Sequence, residues 1–162
     1  MRIRHLFLLA VMLLSATVST VAREKKDANA FKLNGIWQMC FYRSDSPDNP
    51  GELKTSNSFK ILTDDGKFTN MVMMPEGAII IGSGKYHQTA SNKYVETVEK
   101  NLHLPQLVGT DNEIEFEMRG GGIMVLKYFV KEDADGNQID SWYYETWKLV
   151  TMPNAYPRNI VR

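Results

Sequence analysis

Between residues 112 and 119 the chain reads Asn-Glu-Ile-Glu-Phe-Glu-Met-Arg, with apolar and charged side chains in strict alternation. Ile114, Phe116 and Met118 fall on one side of an extended backbone, and Glu113, Glu115, Glu117 and Arg119 on the other. A helix would mix these sets, whereas a strand with one buried face separates them. The same period of two dominates from Leu33 onward. It predicts strands at 33–43, 58–63, 67–74, 78–88, 93–100, 112–119, 123–131 and 139–150. Their breaks fall at turn residues: Asp64-Asp65-Gly66, Thr89 to Asn92, and a segment from Glu132 to Gln138 that contains Asp135-Gly136. Glycine accepts the positive φ that tight hairpins need.

Helix finds little support. Residues 101–109 have room for one turn, bounded by Pro105 and Gly109. Residues 45–54 read as a polar loop, and Pro153 and Pro157 mark an irregular tail. Eight antiparallel strands in meander order, each with one apolar face, must hide that face. The expected fold is all-β, an eight-stranded antiparallel up-and-down β-barrel, which also removes exposed edges. A two-sheet sandwich is the alternative, and regular hairpins without a long crossover favour the barrel.

The alternation assigns faces. Tyr94, Glu96 and Val98 are expected inside, as are Leu126, Tyr128 and Val130. So are Tyr143, Glu145, Trp147 and Leu149, and on the first strand Trp37, Met39 and Phe41. The interior so defined is aromatic and greasy, with two exceptions, Glu96 and Glu145. A buried carboxylate needs hydrogen bonds or a cation. Either neighbouring tyrosines satisfy these two, or the phase is misread by one residue, or they form a polar floor that recognises a ligand's hydroxyl or amine.

The first 22 residues change the picture of where the chain works. Arg2 and Arg4 precede an unbroken apolar run from Leu6 to Leu14, and small residues follow to Ala22. That is the pattern of a cleaved export signal. A retained anchor is the rival, because Arg23, Lys25 and Lys26 come next, but the apolar run is short for a hydrocarbon layer of about 30 Å. The expected organisation is a signal at 1–22, a lead at 23–32, a barrel at 33–150 and a tail at 151–162. The expected address is periplasm, cell surface or medium, with no integral membrane segment after signal removal.

Nineteen basic and nineteen acidic residues leave the whole chain neutral, without the concentrated basic face that nucleic acid would require. Cys40 is the single cysteine, so no internal disulfide forms, and it reads as a small strand residue.

Gly35-Ile36-Trp37 at the head of the first strand resembles the Gly-x-Trp signature of the lipocalins and their secreted bacterial lipocalin-like relatives of unassigned function. The likeness in pattern extends through "GSGKY", "YVETVEK", "LVGTDNEIEFEM" and "YYETWKLV". It implies a lipocalin-like barrel closed at one end by Trp37, with Gly35 and Lys148 in structural roles. A basic side chain from the last strand often lies across that indole in the family. Here an Arg is expected and Lys148 stands instead, without the planar guanidinium that stacks and hydrogen-bonds together.

Other motifs weaken on inspection. Gly77, Gly82, Gly84 and Lys85 hint at a phosphate loop, but Tyr86 follows the lysine and no helix begins there. Glycines at 82 and 84 fit a bend or close approach in a barrel. Residues 133–137 imitate a calcium loop, yet the twelfth position falls on Tyr144. His87 and His103 form no close ligand pair.

The functional expectation is an exported barrel that binds a small apolar molecule without covalent chemistry or cofactor. Trp37, Met39, Phe41, Phe116, Tyr128 and Trp147 would bury it, and Tyr94, Glu96 and Glu145 would orient it. Two alternatives stand: a module with a packed barrel that binds a protein or glycan, and an isomerase-type enzyme with an interior Glu as general base.

Overall fold

The computed structural model describes residues 31–46, 52–53 and 57–151, with residues 52–53 described in backbone only. The signal at 1–22, most of the lead, the middle of the 45–54 loop and the tail from 152 lie outside the described residues.

Among the described residues nine strands form in chain order: β1 (Gly35–Ser44), β2 (Glu52–Leu53), β3 (Ser58–Leu62), β4 (Lys67–Met74), β5 (Gly77–Ala90), β6 (Lys93–Asn101), β7 (Asp111–Arg119), β8 (Ile123–Glu132) and β9 (Gln138–Leu149). Each of β3 to β9 pairs with its sequence neighbour, all antiparallel. β1 pairs with both β3 and β9, which closes an eight-stranded up-and-down barrel. The two-residue β2 only flanks the end of β1, opposite Phe41 and Tyr42. A single 3₁₀ turn, η1 (Pro105–Leu107), occupies the connection after β6.

The turns form where their residues dictate. Gly66 takes φ +78° and its amide donates to the Thr63 carbonyl, which reverses the chain between β3 and β4. In the β8–β9 hairpin, Asp133 Oδ1 accepts the backbone amides of Asp135 and Asn137, and its Oδ2 accepts the Asn137 side-chain amide. That carboxylate is the staple of a turn.

One half of the barrel is packed solid. Leu33, Trp37, Leu62, Phe68, Tyr94, Phe116, Met124 and Leu126 are buried together there. Trp37 Nε1 donates to the Leu33 carbonyl at 2.9 Å, so the indole is satisfied where it is sealed. Gly35 beside it takes φ +152°, a backbone conformation that side-chain-bearing residues rarely adopt, and a Cβ there would also press on the movable end of Leu149. Gly84 is required in the wall, where a Cβ would collide with the Thr97 carbonyl and the Phe68 ring. Close approach is therefore the reason for that glycine.

Two expectations are corrected. Lys148 is exposed and pairs with Gln38, while Trp37 pairs with Leu149 on the opposite face, so Lys148 does not lie across the indole. Phe41 does not face inward. A β-bulge at Cys40 inserts one residue between the pairs Met39–Trp147 and Phe41–Thr146. The extra residue reverses the phase, which turns Phe41 to the outer wall beside Arg43, Lys127 and Tyr144 and turns Tyr42 inward.

Candidate functional site

The other half of the barrel is hollow. An inner chamber of about 160 Å³ is bounded by Met39, Lys60, Asn70, Glu96, Tyr128, Glu145 and Trp147, among others. An outer chamber of about 700 Å³ shares Met39, Tyr128 and Glu145 with it and continues past Tyr42, Val72, Val130 and Tyr143 to the mouth. A second bulge helps to shape this space. Asn70 pairs with Gly82 and Met71 with Ile80, which leaves Ile81 unpaired and lining both chambers.

The segment after β6 lines one side of the opening. Asn101 Oδ1 accepts the amides of His103 and Leu104, at 3.0 and 2.8 Å, and sets both residues at the cavity wall. Gln106 Nε2 donates to the Glu132 carbonyl at 2.7 Å, which ties the segment to the end of β8.

At the boundary between the packed and hollow halves lies a buried polar group. Lys60 Nζ stands 2.6 Å from Glu96 Oε1, and the two side chains are only 4% and 6% exposed. Tyr94 donates its hydroxyl to the same carboxylate oxygen at 3.2 Å. The Lys60 ammonium also lies 5.5 Å from the Phe68 ring centre and 5.9 Å from that of Trp147, so its remaining faces meet aromatic rings. Lys60, and not Lys148, is a cation that the barrel sets among the aromatic rings of its interior.

Glu145 is held differently. Tyr128 donates its hydroxyl to Oε1 at 2.8 Å, and Trp147 donates Nε1 to Oε2 at 2.9 Å. No cation among the described residues lies within ion-pair distance of it. Burial pushes its pKa above the ordinary carboxylate value. The nearby Lys60 charge and the two hydrogen bonds oppose that rise, and the Glu96 charge adds to it. Burial, reinforced by the charges of Glu96 and Glu145, also lifts the Tyr94 and Tyr128 phenols well above their usual value. Both therefore remain neutral donors. Beside this group, Asn70 Oδ1 is buried without a hydrogen-bond partner among the described residues.

Of the residues expected to form the site, Met39, Glu96, Tyr128, Glu145 and Trp147 line the cavity. Glu96 and Glu145 both face inward. Trp37, Tyr94 and Phe116 face inward too, but they belong to the packed half and support the floor from below. Phe41 stands outside. The alternation had offered no role for Lys60, Asn70, Asn112 or the mouth residues His103 and Leu104. Lys60 carried a readable signal. The Asp64-Asp65-Gly66 turn sets Leu62 opposite Phe68, and a residue two before Leu62 must share its inward face.

Among the described residues no group of three or more His, Cys, Asp or Glu is placed to hold a metal ion. Nor is any helix there long and apolar enough to cross a membrane.

A closed antiparallel barrel with one packed end, one hollow end and a polar floor between them is compatible with a ligand-binding barrel. Residues 32–158 match the domain of unknown function DUF4488, and the chain belongs to that family. No curated protein matches it.

Proposed function

We propose that this protein is an exported, lipocalin-like carrier that holds a small, largely apolar molecule in the hollow half of its barrel. The observation that carries this reading is the cavity itself, with apolar walls and a few converging polar groups. Met39, Ile81, Leu104, Leu107, Ile114 and Trp147 supply the apolar part of the walls, and Lys60, Asn70, Glu96, Asn112, Tyr128 and Glu145 the polar part. Small-molecule sites are built this way, commonly with volumes of about 300–1,000 Å³. The outer chamber, about 700 Å³, is within that range, whereas the inner one is large enough only for a head group. Apolar burial contributes about 25 cal/mol per Å², and the aromatic and methionine walls give a ligand body much surface to cover. The Gly-x-Trp opening and the residues 1–22 support the lipocalin-like and exported parts of the reading.

The test is native mass spectrometry on protein purified gently from its own host, with intact mass compared before and after denaturation. A reproducible extra mass that leaves on unfolding supports the carrier. A bare mass counts against it.

A second reading, a protein-interaction module, is favoured by one feature. Met73, Met74, Ile79 and Ile80 are exposed together on the paired ends of β4 and β5. Apolar side chains grouped at a surface mark contact sites more often than singly scattered ones do. A heavier assembly in the same native spectrum, with no small-molecule mass, is the result this reading expects.

A further inference from the structure

The carrier reading leaves open which chemical group a ligand would present to the inner chamber. The charges lining that chamber bear on it directly. Glu96 and Glu145 both line it, and Lys60 is its one ammonium among the described residues. Lys60 is already committed to Glu96 at 2.6 Å. With both carboxylates ionised, the chamber is one positive charge short of neutral.

The hydrogen-bond count points the same way. The donors around Glu145 are spent: Tyr128 and Trp147 both point at its oxygens. What Glu145 itself still offers a ligand is acceptance. A carboxylate offers about four lone-pair sites, and Glu145 has two accounted for. Asn70 Oδ1, which lines the same chamber, has none of its capacity used. An orphaned buried acceptor costs free energy, and so does a buried charge without a partner. One ligand group with several donors and a positive charge would relieve both.

We propose that the inner chamber takes the protonated amino group of a small, otherwise apolar amine, with Glu145 as its counter-ion and Asn70 Oδ1 as a second acceptor. An ammonium brings three donors, which an alcohol cannot match. A carboxylate head group would meet two like charges and a lysine that Glu96 already holds. The apolar body of the amine extends into the outer chamber, past Met39 and Ile81 toward Leu104 and Val130. This inference rests on the carrier reading, and it adds the charge of the head group.

The experiment is isothermal titration calorimetry of the full chain at neutral pH with n-hexylamine, 1-hexanol and hexanoate, which share one alkyl body. The expected result is hexylamine binding about tenfold or more tighter than hexanol, with hexanoate weakest, as a charge-assisted contact should give. In Glu145→Gln the amine's advantage over the alcohol is expected to vanish. Hexanol or hexanoate binding as tightly as the amine overturns the assignment of charge and leaves the carrier reading standing. No heat from any of the three overturns both. The comparison on the unaltered protein decides the matter even if Glu145→Gln fails to fold.

Discussion

Lys60 and Glu96 form an ion pair at 2.6 Å across the barrel interior, brought together from positions 36 residues apart in the chain. Neither side chain has appreciable contact with water. Each ion has lost its hydration and depends on the other, with Tyr94 and the rings of Phe68 and Trp147 completing the shell. This arrangement sets the depth of the cavity, because above the pair the barrel is hollow and below it the barrel is packed.

Removing one partner of a buried pair strands the other. Lys60→Met is expected to destabilise the fold by about 3–5 kcal/mol. The double variant Lys60→Met with Glu96→Leu should recover much of that loss, since it strands no charge. Urea denaturation of the two single variants and the double checks the coupling. Additive losses would contradict it.

Glu145 has a carboxyl whose pKa is raised in the folded state, chiefly by burial. The folded protein therefore takes up a proton at Glu145 at a higher pH than the unfolded chain does. Above its folded pKa this group reduces stability, and the reduction disappears as pH falls through that pKa toward the ordinary carboxylate value. Lys60, Glu96, Tyr128 and Trp147 are the groups that act on it. Glu145→Gln is thus expected to gain stability relative to the unaltered protein at pH 7 and to lose that gain toward pH 4. Thermal unfolding of both proteins across that window measures the difference. A difference that does not change with pH would contradict the raised pKa.

Gly84 and Gly120 separate steric need from turn preference. A Cβ at residue 84 would strike the Thr97 carbonyl and the Phe68 ring, whereas one at residue 120 would meet nothing within 4 Å. Gly84→Ala should cost about 3 kcal/mol, with β5 and β6 forced apart. Gly120→Ala should change stability by no more than about 0.5 kcal/mol. Denaturant midpoints of the two variants, compared at equal slope, give the answer.

The tryptophans offer an optical probe of occupancy. Trp147 lines the inner chamber, Trp37 is sealed in the packed half, and Trp142 lies on the outer wall against Phe129. A molecule entering the cavity should change Trp147 emission alone. Trp147→Phe is expected to abolish the ligand-dependent change while the emission of Trp37 and Trp142 persists. A change that survives this substitution would place the ligand outside the inner chamber.

The strands were legible because their signal is local. The alternation at 112–119 and the Asp-Gly turns are consequences of pleat and backbone sterics, which act over a few residues. The inward faces of Tyr94, Glu96, Tyr128, Glu145 and Trp147 followed from the same period. Phe41 escaped because one extra residue at Cys40 reverses the phase, and a bulge leaves no mark on an alternation of large apolar residues. Lys60 escaped because Phe59 and Ile61 flank it, and a lysine between two apolar residues looks like the solvent side of a strand.

The amino-acid sequence by itself determined an all-β chain, its reversal points and two carboxylates aimed at the interior. Only the tertiary structure decided that Lys60 neutralises Glu96 and not Glu145, that Trp37, Tyr94 and Phe116 fill one end, and that the other end stays open. The physical reason is range. Strand period and turn geometry are summed over neighbours in the chain. The cation that reaches a carboxylate and the side chains that fill or leave a space are set by strand register and closure, which join residues far apart in sequence.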